Sequence, residues 1–225
     1  MARASTTHGN GSHKSRDGRK LSRSGMSKSN AASRGQRGSS VNPQWLTDFL
    51  SEMLTVEMGG VKLYEKALNE LEHPEYEDEL NEFLRQTERH VELCTEMLNA
   101  AGGDSDYKSP GAQAAEHKAE GLISARVPPE IADLNNIENL VLAETKDHWD
   151  WEMLASVAPR IGDAELKRMA TKAVSEVRKQ EKMHLDWNEQ TLSKLAMESA
   201  MHTPADNMSE SEEDDQMSEE ELEKE

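Results

Sequence analysis

The sequence predicts an all-α fold: a four-helix bundle built from two antiparallel hairpins, joined by one long crossover and flanked by disordered, charged termini. Three observations carry the prediction. Apolar residues recur at three- and four-residue steps in four separate segments. The connections within each pair of segments are short, whereas the middle one is long. No segment shows the two-residue alternation of a half-buried strand.

The first helix begins after Asn42, with Pro43 suited to its first turn. Its stripe runs Leu46, Phe49/Leu50, Met53/Leu54, Glu57, Val61, Tyr64, Ala67/Leu68 and Leu71. The second starts near Pro74 and runs Tyr76, Leu80, Phe83/Leu84, Thr87, His90/Val91, Cys94, Met97/Leu98 and Ala101, with Gly102-Gly103 to stop it. The third starts near Pro129 and runs Ile131, Leu134, Ile137, Leu140/Val141, Glu144, His148, Trp151, Leu154/Ala155 and Ala158, up to Pro159 and Gly162. The fourth has Asp163 as its cap and runs Leu166, Met169/Ala170, Ala173, Val177, Glu181, His184, Trp187/Asn188, Leu192 and Leu195. Residues 102–127 combine Gly, Ser, Pro and a short Ala-rich stretch. A connector of that length can cross the end of a bundle and let the third helix run parallel to the second. Gly59-Gly60 interrupts the first helix at about 1 kcal/mol per Gly relative to Ala. The pair reads either as a close helix approach beside Glu57 or as a loosened helix. Trp149, Trp151 and Trp187 read as core or interface.

Composition separates the bundle, residues 43–202, from its ends. Residues 1–42 and 203–225 have too few large apolar side chains to offset the entropy of ordering. The first carries +8 and the second −10; with −18 for the whole chain, the middle is left with −16. An acidic middle is unsuited to gripping phosphate, so nucleic acid is a candidate partner for the basic tail alone. Cys94 is the sole cysteine and the basic N-terminus has no apolar signal region, which together point to the cytoplasm. No apolar run approaches membrane-spanning length.

The functional signal is where ionisable residues sit. Glu57, Glu144, Glu181, His90 and His184 occupy positions that their helices would otherwise fill with apolar side chains. A lone carboxylate in a dry core costs several kcal/mol or more, and five such groups on four helices call for a shared partner. Carboxylate and imidazole together suit iron, manganese or zinc. Glu181 and His184 lie three apart and face one way. Glu57 and His90 stand at matching distances from the Pro74 turn, whereas Glu144 and Glu181 differ by about one helical turn from theirs; Asp147 or His148 is the alternative on the third helix. A faint repeat pairs Glu57 with Glu144, Tyr64 with Trp151, His90 with His184 and Thr87 with Glu181.

On these residues the chain resembles the ferritin-like superfamily, and its rubrerythrin-like members in particular, over about residues 43–202. That family holds a di-iron centre with one Glu from each of two helices and a Glu-x-x-His from each of the other two. Here Glu57 and Glu144 match the single glutamates and Glu181-Lys-Met-His184 is a complete Glu-x-x-His. The second motif reads Thr87-Glu88-Arg89-His90, with Thr87 where the Glu belongs, and Glu88 points about 100° away. The resemblance implies a di-iron or mono-iron site, Fe(II) oxidation by O₂ or peroxide of the ferroxidase or peroxidase type, a role in oxidative stress, and a homodimer. The Cys-x-x-Cys pairs of a rubredoxin-type centre are absent, so electrons would come from Fe(II) or an outside donor. Two other readings remain: a metal-free scaffold or interaction protein of the stress response, favoured by Thr87, and a tail-mediated nucleic-acid binder.

Overall fold

The computed structural model describes residues 40–201, which contain five α-helices and no strand. The readings placed on the charged ends, apart from residues 40–42, lie outside the described residues. Helix α1 (Pro43–Asn69) starts where the Asn42 side-chain oxygen accepts the N–H groups of Gln44 (2.9 Å) and Trp45 (3.4 Å), with Pro43 in the first position where no donor is needed. Helix α2 (Glu77–Ala100) follows a 3₁₀ turn at Pro74–Tyr76. It ends at Gly102, whose φ of 87° lets the Gly103 N–H return to the Leu98 carbonyl at 3.0 Å.

The connector differs from expectation. It contains a fifteen-residue helix, α3 (Pro110–Ser124), capped by Ser109 Oγ accepting from the Ala112 N–H at 3.1 Å. Its contact face is made of small residues, so it carries no stripe of large apolar side chains to announce it. What it offers instead is close approach to α1. A Cβ on Gly59 would lie 3.0 Å from the Ala119 methyl, and one on Gly60 would lie 3.3 Å from Thr87 Cγ2. The glycine pair therefore admits α3 on one side and α2 on the other.

Helix α4 (Ala132–Val157) is preceded by a 3₁₀ turn at Pro129–Ile131 and followed by another at Ala158–Arg160. Helix α5 (Ala164–Met201) begins with the expected cap, Asp163 Oδ1 accepting from the Leu166 N–H at 2.8 Å. Helix α1 packs on α2, α3 and α4, and α5 packs on α4 and α2. Side-chain pairs fix the directions. Glu57 meets Trp151 while Tyr64 meets Glu144, so α1 and α4 run oppositely. His90 meets Gln180 while Gln86 meets His184, so α2 and α5 do as well. With α1 turning back into α2, helices α2 and α4 share a direction, and the α3 segment makes the return between them. The α1–α2 turn is pinned to α4 by Asp133, whose carboxylate accepts from the N–H groups of Glu72 and His73.

The core is divided. One apolar cluster includes Leu50, Met53, Leu98, Trp151, Leu154 and Val177; the other includes Leu63, Leu80, Phe83, Ile137, Leu140 and Leu195. Each fully buried Leu or Phe contributes about 1.5–3 kcal/mol. Between the two clusters, along α1, α2, α4 and α5 alike, the buried positions are polar or charged, with Gly59 and Gly60 the exceptions on α1. No helix among the described residues is long and apolar enough to cross a membrane.

Candidate metal centre

The dividing layer holds all five residues singled out in the sequence, together with Asp147. Glu57 comes from α1, His90 from α2, Glu144 and Asp147 from α4, and Glu181 and His184 from α5. All six are buried, and His90, Glu181 and His184 are 0% exposed. The expected one-turn offset between Glu144 and Glu181 is absorbed by the 3₁₀ turn at Ala158–Arg160. At about 1.5 Å per α residue and about 2.0 Å per 3₁₀ residue, each glutamate stands about 25 Å from its end of the turn. Asp147 joins Glu144 rather than replacing it. His148, the other alternative, is half-buried and lines an outer groove of α4 and α5 with Glu152 and Arg178.

Donor atoms fall into two groups. Glu57, His90, Asp147 and Glu181 each place one within 4.8 Å of all the others, as do Glu144, Glu181 and His184. Glu181 belongs to both. Its Oε1 lies 2.9 Å from His90 Nδ1 and 3.9 Å from His184 Nδ1; His90 Nδ1 is 3.6 Å from Glu57 Oε2, and His184 Nδ1 is 3.5 Å from Glu144 Oε2. Separations of this size let every donor in a group reach one ion at about 2.0–2.6 Å.

The partners of the remaining atoms are set. His90 Nε2 lies 3.1 Å from Gln180 Oε1, and His184 Nε2 lies 3.0 Å from Gln86 Oε1. An N–H on each Nε2 donates to that amide oxygen and directs Nδ1 into the layer. Trp151 Nε1–H donates to Glu57 Oε1 at 2.7 Å, and the Tyr64 hydroxyl donates to Glu144 Oε1 at 2.6 Å. Among the buried side-chain atoms without a hydrogen-bond partner, seven belong to these six residues: Glu57 Oε2, Glu144 Oε2, Asp147 Oδ1, both Glu181 oxygens and the Nδ1 atoms of His90 and His184; Asn136, Asp150 and Asn188 add one oxygen each outside the two groups. Even the 2.9 Å contact between His90 Nδ1 and Glu181 is not aligned as a hydrogen bond. Buried polar atoms are rarely left orphaned in this way. A cation is the partner that seven orphaned ligand atoms share, so this buried cluster can hold a metal ion, and the donor set fits the group expected from the sequence.

Electrostatics reinforce the point. Burial raises the carboxyl pKa of Asp147 well above its ordinary value, and the charges of Glu181 and Glu57 raise it further. Glu181 is raised by burial and then by Glu144. At His90 burial opposes the charged imidazole, but Glu57 and then Asp147 outweigh it and push the pKa up to about 9. Carboxylates crowded out of water in this way favour a neutralising partner, whether a proton or a cation.

Thr87 is buried, but its hydroxyl turns back to donate to the Phe83 carbonyl at 2.9 Å, and Glu88 is exposed. Neither joins the layer. The sequence reading missed Gln86 and Gln180, although each stands four residues before its histidine partner's counterpart, His90 and His184 respectively. Tyr64 and Trp151 were visible as a repeat but not as donors to the opposite glutamate. Comparison with protein-family models, curated proteins and solved structures finds no match for the chain.

Proposed function

We propose that the chain is a ferritin-like protein of the rubrerythrin-like kind, a four-helix bundle of α1, α2, α4 and α5 with α3 laid against α1, that binds iron at this layer. The observation carrying the proposal is the convergence of orphaned carboxylate oxygens and imidazole nitrogens from four helices on two donor groups sharing Glu181. The two hairpins and the shared direction of α2 and α4 support the architecture. Glu57, His90, Asp147, Glu144, Glu181 and His184 would hold the metal. Iron bound there supplies Fe(II)/Fe(III) chemistry, with O₂ or peroxide as oxidant. Manganese and zinc suit the same donors.

The chain's own contribution is positioning. Gln86 and Gln180 fix the imidazoles, while Tyr64 and Trp151 each hold one oxygen of a glutamate and leave the other free. The apolar clusters on either side keep bulk water away from the layer. Cys94 is buried, and burial followed by Glu57 raises its thiol pKa, so it offers no reactive thiolate.

Anaerobic titration of the purified protein with Fe(II) tests the proposal. Saturation at one or two ions per chain is expected; metal analysis finding none after anaerobic loading would defeat it. The metal-free scaffold reading, which Thr87 favours, predicts that second result and the same melting temperature with and without Fe(II).

A further inference from the structure

Within one helical turn of the glutamate and the histidine that they share, the two hairpins differ at one position each that is buried in both. Three residues after the glutamate stands Gly60 in α1 but Asp147 in α4. Three residues before the histidine stands Thr87 in α2 but Glu181 in α5. Gly60 and Thr87 pack against each other, and the Thr87 hydroxyl is spent on its own helix. Neither of these two positions supplies a carboxylate to the centre. Asp147 is buried, its Oδ1 has no hydrogen-bond partner, and it belongs to the donor group of Glu57, His90 and Glu181.

We infer that Asp147 is a metal ligand supplying from α4 the carboxylate that α2 lacks, and that it makes the two ion positions unequal. This rests on the metal-binding reading above. With Asp147 included, four carboxylates (Glu57, Glu144, Asp147 and Glu181) balance two divalent ions, which three cannot do without an added anion. The position of Glu57, His90, Asp147 and Glu181 has four protein donors, whereas that of Glu144, Glu181 and His184 has three. The four-donor position fills first. The three-donor position holds its ion more weakly and keeps more of its coordination for water or a small anion.

Titration of the full chain with Co(II), followed by calorimetry and optical absorption, tests this. The wild-type protein is expected to take two ions with dissociation constants at least tenfold apart. Asp147→Asn should weaken the tighter step at least tenfold and leave the other within about threefold; Glu144→Gln should weaken only the looser step. Uptake of two ions with Asp147→Asn unchanged in both steps overturns the inference while leaving metal binding standing. Uptake of no ion by the wild-type protein overturns metal binding itself. Should Asp147→Asn not fold, anomalous diffraction from Co(II)-loaded wild-type crystals decides. A peak about 2.0–2.2 Å from Asp147 Oδ1 supports the assignment, and peaks out of its reach overturn it.

Discussion

In hairpin α1–α2, Tyr64 follows Glu57 by seven residues and reaches across to Glu144; in hairpin α4–α5, Trp151 follows Glu144 by seven and reaches back to Glu57. Gln86 and Gln180 exchange partners in the same way. Against this near-symmetry, the first hairpin contributes Glu57 and His90 to the layer, while the second contributes Glu144, Asp147, Glu181 and His184. The difference lies at Gly60 and Thr87, where the first hairpin has close packing instead of charge. One hairpin is shaped to let helices approach; the other carries most of the negative charge. An internal repeat can thus keep its scaffold of orienting side chains while the acidic groups beside them are redistributed.

The largest effect that would break this comparison is at Glu181, the residue common to both donor groups. Glu181→Gln should weaken metal uptake by more than about 100-fold, beyond what loss of an orienting partner costs. It should also raise the melting temperature of the metal-free protein at pH 8, because one of several crowded carboxylates becomes neutral. Thermal scans with and without Mn(II) read both; a metal-dependent shift as large as that of the wild type would refute the shared role.

The orienting glutamines come next. Gln86→Ala and Gln180→Ala should each weaken one ion about 10- to 100-fold, with Gln180→Ala acting on the His90 group and Gln86→Ala on the His184 group. Calorimetric titration distinguishes the two steps, and equal losses at both positions from either variant would dissolve the distinction between the halves.

Acidity gives a third, smaller lever. Asp147, Glu181 and His90 all have folded-state pKa values raised above those of the unfolded chain. Their contribution favours the folded metal-free protein below the unfolded values, near 4 for the acids and 6.5 for His90, and is lost as pH rises through the raised ones, reaching about 9 for His90. The metal-free protein should therefore melt lower at pH 9 than at pH 6, while the increment added by metal grows over that interval because protons no longer compete. Melting curves across this range test the sign.

The smallest expected effect concerns the packing of the first hairpin. Gly59→Ala should destabilise by about 1–2 kcal/mol, as overpacking against Ala119 exceeds the gain in helix propensity. Adding Ala119→Gly should recover much of it, a coupling that urea denaturation of the four proteins would measure.

Much of this was legible in the sequence because helical periodicity makes a charged residue conspicuous in an apolar slot. That exposed Glu57, His90, Glu144, Glu181 and His184, while Pro43, Gly102-Gly103 and Asp163 marked helix ends; the cap that Asn42 forms was not read from the sequence. Helix α3 was hidden because small residues carry its contact with α1, and alanine and glycine leave little hydrophobic pattern. Asp147 was visible only as an alternative to Glu144, because one-dimensional counting treated the α4–α5 connection as ordinary helix and loop and could not show that both acids face inward. The glutamines and the aromatic donors act across the molecule, between helices that no local pattern links.

The polar layer also bears on how the molecule comes apart. A continuous apolar core ties helices into one cooperative unit, whereas here a band of mutually repelling acids lies between the Leu50–Leu154 cluster and the Leu63–Leu140 cluster. Neutralised by cations, that band becomes a girdle joining the two ends of the molecule. Stripped of them, it is a seam, along which amide hydrogen exchange would find each end opening on its own schedule.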